Sequence, residues 1–207
     1  MSFINHDIYS IYLLLIILIL STAFNTNRKQ ITSLLSIPFN SKENYAFLYF
    51  QRNTNFSFLR FLNFILTTLI TNSFVALLYT DLSINKFVIL LVNVFCFFII
   101  QHIMILVFGL SINKYAKYMK ISIINIDIKT FISIYFFPIL LIISYSNFMS
   151  HNLNVIISIL FLIFLIIMKL WFVIKSNNYI GLKFIHIISY ICILEFIPII
   201  AFYFILK

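Results

Sequence analysis

Glu195 is the residue best placed to carry chemistry, because it stands inside an apolar run from Phe184 to Leu206. An ionised Asp, Lys or Arg at mid-bilayer costs about 2.5–3.5 kcal/mol on insertion scales, and an intramembrane ionisable group is a functional-site hypothesis by default. Glu195 lies 11 residues from Phe184, roughly 16 Å at about 1.5 Å per residue. So short a side chain cannot reach the headgroups from there. It must be protonated, paired or turned to a wet cavity.

Counting inward from the same side of the membrane, Asn72, Gln101 and His102 fall within about 5 Å of its depth. Pro138 and Pro198 lie in the same helices or near that layer, each a candidate kink that frees a backbone carbonyl. Two roles are open to such a layer. One is a proton or ion site with Glu195 and His102 as the titrating pair. The other, which the sequence favours, is hydrogen bonding that fixes helix packing, worth ~0.6 kcal/mol per bond in membranes.

Other chemistry finds no footing. There is no H-E-x-x-H, no G-x-S-x-G and no glycine-rich phosphate loop. Asp7, Glu43, Asp81 and Asp127 are scattered through flanks and connections and form no acid–base pair. Cys96 and Cys192 lack metal-ligand spacing and read as small apolar core residues. No metal site and no cofactor is expected.

The elements that must position this layer follow from composition. Of 207 residues, 63% are hydrophobic and 9% charged, with a mean hydropathy of +1.12. A water-soluble domain is nearer half apolar and a quarter charged, so the solvent here is lipid. Six runs of membrane-spanning length can be drawn, at 8–24, 61–80, 87–110, 131–149, 155–174 and 184–206. The fold class is an all-α membrane protein, a single domain of six transmembrane helices.

The formal charge of +9 does not point to nucleic acid, because the basic residues sit at span ends and in the short segments between spans. Twelve of the fourteen fall on one side: those in 25–60, in 111–130, and Lys169, Lys175 and Lys183. Lys86 and Lys207 fall on the other. The positive-inside rule therefore puts both termini outside the cytoplasm. Near the basic end of the fifth span, Lys169 and Trp171 have the types and place of interfacial anchors, the lysine stem running along lipid.

Segment 25–60 is too long for a simple turn. Asn40 three residues before Glu43 resembles a capping box. Beyond it Phe47 and Phe50, with Ala46 and Tyr49, make an apolar face. A cytoplasmic amphipathic helical segment fits, lying on the lipid surface or packed on the bundle, with docking of a partner protein as the alternative.

The C-terminal stretch from Phe184 to Pro198 contains Y-x-C-x-x-E-x-x-P, met by Tyr190, Cys192, Glu195 and Pro198. This pattern, with N-R-K-Q-I-T-S-L-L-S-I-P-F before the second span and F-F-P-I-L-L-I-I-S-Y in the fourth, resembles an uncharacterised bacterial family of multi-pass inner-membrane proteins. Its label in words is domain of unknown function four-two-seven-one. The resemblance covers nearly the whole chain and implies a bacterial inner membrane. It makes Glu195 a family-pattern residue but supplies no activity.

Three functions are compatible with these observations. The preferred one is a non-enzymatic accessory or assembly subunit of an envelope system, partnered by the bilayer and by another membrane or envelope protein through segment 25–60. The second is a small proton-coupled carrier using Glu195 and His102, and the third a membrane enzyme acting on lipid. If Glu195 only bonds helices together, Glu195→Gln will match the parent in yield of folded protein from membranes, whereas Glu195→Leu will fail.

Overall fold

Where no water is present to satisfy backbone groups, only helices and closed barrels can cross a membrane. The computed structural model describes residues 6–26, 58–79, 83–145 and 151–180, and every regular element among them is an α-helix. These are α1 (His6–Thr26), α2 (Phe58–Ala76), α3 (Ile84–Ser111), α4 (Tyr115–Tyr145) and α5 (His151–Ile180). Four contain stretches long and apolar enough to cross a membrane, in α1, α3, α4 and α5. The apolar stretch of α2 is shorter. The expected span at 184–206 and most of the amphipathic segment lie outside the described residues.

Local signals set the ends of α3. Ser83 is its N-cap, and the side-chain oxygen accepts from the Lys86 amide at 3.4 Å. At the other end the amide of Lys114 donates to the Gly109 carbonyl at 2.8 Å, and that of Asn113 to Leu110 at 3.1 Å. This pair of bonds is a Schellman closure. It needs a left-handed residue, and Asn113 takes that place with φ of 55°.

α4 then begins at Tyr115, which corrects the expected connection over 111–130: the turn is only residues 112–114. Lysines at 114, 117, 120 and 129 and Asp127 lower the local hydropathy, so a span drawn on apolarity starts too late. The isoleucines between them are core residues. From Ile121 to Ser133 every side chain of α4 is buried, as expected of a helix enclosed on all sides.

α4 is thus the central helix, packed against α2, α3 and α5, while α1 packs on α2. Phe74 of α2 stacks on Phe161 of α5 at 4.2 Å between ring centres, and Phe136 of α4 meets both edge-on. Leu66, Ile70, Ile132 and Leu140 fill the space around them. The periphery is apolar too: Leu14 and Leu18 of α1, Val92 and Ile103 of α3 and Ile156 and Ile163 of α5 are exposed. That is the surface a lipid environment requires and water would not tolerate.

The α3–α4 hairpin closes tightly. A Cβ at Gly109 would lie 2.6 Å from the Cβ of Tyr118, an atom held by its own backbone. Gly109→Ala should therefore cost about 1–3 kcal/mol, the usual range for overpacking, read as a lowered thermal midpoint in detergent.

Candidate functional site

Two polar stripes face each other in the middle of this apolar bundle. On α2, Arg60, Asn63, Thr67 and Thr71 follow one another at helical spacing and so share a face. All four are buried. On α4, Asp127, Thr130 and Ser133 recur every three residues and are buried as well. The stripes meet where Arg60 Nη2 approaches Asp127 Oδ2 at 3.5 Å and the hydroxyls of Thr67 and Thr130 lie 3.2 Å apart. Thr130 Oγ1 also reaches the Asn63 carbonyl at 3.4 Å.

Residue numbers rise together along this contact, so α2 and α4 run in the same direction and α2 starts level with Asp127. Twelve residues of α4 precede Asp127. At 1.5 Å each, the hairpin of α3 and α4 overhangs the start of α2 by about 18 Å.

The remaining helices close the layer. Lys129 Nζ donates to Gln101 Oε1 on α3 at 2.7 Å and sits 3.9 Å from the centre of the Phe98 ring, a cation–π distance. His102 Nδ1 lies 2.8 Å from Ser122 Oγ, and its imidazole rests on Phe64 with centres 5.7 Å apart. Lys169 of α5 is 3% exposed, and its charge and that of Lys129 both act on His102. Among the described residues this layer holds three cationic side chains and one carboxylate.

The Arg60–Asp127 pair is 1% and 0% exposed. Its separation is longer than the 2.7–2.9 Å usual for a charge-assisted hydrogen bond, and neither Asp127 oxygen closes a hydrogen bond among the described residues. Both amide atoms of Asn125, two residues earlier, are buried without a partner among the described residues, as are Asn63 Oδ1, Thr71 Oγ1 and Ser133 Oγ. Groups of this kind in hydrocarbon are expensive, and ordered water or a ligand group normally satisfies them.

Chemically, the layer offers a buried carboxylate beside fixed positive charge, lined by hydroxyls and carboxamides. It can hold and pass a proton. No group of three or more His, Cys, Asp or Glu converges among the described residues. Beside His102 an apolar groove of about 330 Å³ opens between α2, α3 and α4, walled by Phe64, Phe95, Leu106 and Met119.

Of the residues singled out in the sequence, Gln101 and His102 belong to this layer. Asn72 does not. Its Nδ2 donates to the Tyr12 hydroxyl at 3.4 Å, and Tyr12 packs edge-on against Phe87 with centres 5.0 Å apart. Phe87 lies 14 residues from Gln101 along α3, roughly 21 Å. Depths counted from span ends misaligned these positions, because α3 and α4 extend past the start of α2.

Lys169 is corrected as an anchor: its side chain is enclosed by protein, not laid along lipid. Trp171 is exposed. Cys96, expected in the core, is exposed on α3. Pro138 lies within α4, which continues past it to Tyr145. Glu195, Tyr190, Cys192, Pro198, Phe47 and Phe50 lie outside the described residues. The sequence reading missed Arg60, Asp127 and Lys129 by assigning them to connections. The polar periodicity of α2 was the available signal.

A family described as Domain of unknown function (DUF4271) matches residues 9–206. No curated protein and no solved structure matches the chain.

Removing one partner of a buried ion pair strands the other. Arg60→Met should destabilise the protein by about 3–5 kcal/mol, and adding Asp127→Leu should recover most of that loss. Unfolding midpoints in mixed micelles measure both.

Proposed function

The chain belongs to the DUF4271 family, and we propose that it is a multi-pass inner-membrane protein that works as a small proton-coupled carrier. Asp127 is its proton-binding group, and the role first considered for Glu195 moves to it. One observation carries this reading: a carboxylate wholly buried in the central helix, paired with Arg60 on a helix contact where Asn63 Oδ1, Thr71 Oγ1 and Ser133 Oγ also have no hydrogen-bond partner among the described residues. A polar layer built only for packing would have its donors and acceptors matched. Asp127 also supplies the intramembrane acid that the sequence reading found only at Glu195.

In this proposal six helices cross a bacterial inner membrane, with both termini on the periplasmic side and the α3–α4 turn in the cytoplasm. The reading is supported by Lys114, Lys117 and Lys120 clustering at that turn and by the excess of basic residues on the same side. His102, hydrogen-bonded to Ser122 beside the apolar groove, orients one wall of the site. The bilayer is the partner in contact with the exposed apolar faces.

The second reading is the accessory or assembly subunit, in which the layer only fastens helices. The direct Thr67–Thr130 and Lys129–Gln101 bonds favour it, since each joins two helices without any intermediary. Two measurements separate the readings. The first is recovery of the tagged chain from native membranes in mild detergent. The second is potential-driven proton uptake into vesicles loaded with a pH-sensitive dye. The carrier reading expects the chain alone and a proton uptake that Asp127→Asn lowers at least about tenfold, in line with loss of an essential proton acceptor. A partner of equal abundance, with uptake no faster than in empty vesicles, would establish the subunit instead.

A further inference from the structure

The polar atoms left without partners are not confined to the level of Asp127. They continue along the α2–α4 contact: Asp127 first, then Asn63 Oδ1, then Ser133 Oγ and Thr71 Oγ1, with Asn72 Oδ1 one residue on, where α2 meets Tyr12 of α1. Arg60 and Asn72 are twelve residues apart on α2, so the file is about 18 Å long. Between its halves Thr67 and Thr130 touch hydroxyl to hydroxyl, and either can donate.

The far end has its own hydroxyl cluster. Tyr12 donates to the Leu69 carbonyl at 2.8 Å and receives Asn72 Nδ2. Ser73 donates to the same Leu69 carbonyl at 3.1 Å, and Ser144 Oγ reaches the Tyr9 hydroxyl at 3.5 Å. Tyr9 is only half-buried, one turn from the start of α1. The file therefore begins one turn from the start of α1 and ends at a carboxylate buried about 18 Å from the α3–α4 turn.

Apolar cavities stay dry, whereas sites with two to four polar partners hold water. Orphaned donors and acceptors recur along this contact, inside a stretch of α4 that is buried throughout. We propose that the α2–α4 contact is a hydrated seam that conducts protons between the Tyr12–Asn72 cluster and Asp127. Its hydration stands on the orphaned atoms alone, whereas its use as a conduit rests on the carrier reading above. Along the seam each transfer forms one O–H bond as it breaks the next. A proton entering at the tyrosines thus leaves Asp127 as a carboxylic acid, with every hydroxyl restored after reorientation.

The chemistry selects a proton over a metal cation. Asp127 is faced by Arg60 from α2, while Lys129 turns to Gln101 and Phe98 on α3 and Lys169 of α5 is buried in the same bundle. A metal ion would keep its full charge beside these cations, but a proton disappears into the covalent O–H bond of the acid. Hydroxyls and carboxamides in single file also provide no closed cage of oxygens.

Hydroxyl-radical footprinting of the full chain in lipid vesicles tests this, because the radicals arise from water already at the site and need no entry path. In a Cys96→Ala, Cys192→Ala background, thiols placed by the near-isosteric Ser133→Cys and Thr71→Cys are compared with Ile142→Cys. Ile142 is exposed on the outer surface of α4. Oxidation of both seam thiols at least about fivefold faster than the control is expected for contact with ordered water. Rates below that ratio in protein that elutes as the folded parent would overturn the seam. Fast oxidation with no proton uptake in dye-loaded vesicles would leave the hydrated seam standing and remove the carrier reading alone.

Discussion

A buried charge must be compensated where it sits. Arg60 and Asp127 are both withdrawn from solvent, and the desolvation of each ion is worth several kcal/mol even after relaxation. Their mutual attraction recovers that only while the two stay close, so the start of α2 is tied to a single level of α4. Once this level is set, the register of the α2–α4 contact follows: Thr67 falls opposite Thr130 and Phe74 beside Phe136. The aromatic trio with Phe161 then places α5.

This arrangement divides the bundle into two regions with different kinds of contact. Around Phe74, Phe136 and Phe161 the packing is apolar and well filled. Along Asn63, Thr71 and Ser133 it is polar and incompletely bonded. Association in lipid has no hydrophobic drive between helices, so contacts are held by van der Waals packing and hydrogen bonds. The aromatic region supplies the first, and the Arg60–Asp127, Thr67–Thr130 and Lys129–Gln101 contacts supply the second. Together they let the remaining polar groups stay incompletely matched without the bundle falling apart.

The helical class and most helix positions were legible because hydropathy over a spanning length is a strong signal, as α1, α3 and α5 illustrate. α4 was legible only in its second half. Its first half mixes lysines and an aspartate with isoleucines, and no average over a window separates a connection from a helix buried on all sides. The site failed for the same reason. Arg60, Asp127 and Lys129 resemble flanking charges until a second helix is known to cover them, and coverage is a property of the assembled bundle. Gln101 and His102 drew attention because they stand in an uninterrupted apolar run. Asn72 did so too, but was placed at the wrong depth because spans of unequal overhang share no common origin for counting.

The three-residue turn centred on Asn113 has a bearing on how the chain is made. With so short a link, α3 and α4 arrive at the bilayer as one helical hairpin, whose arms face each other before α5 has been synthesised. Gln101 and Lys129 lie on those two arms. The lysine of α4 therefore enters lipid already holding its acceptor, and biogenesis never has to carry that ammonium across hydrocarbon alone.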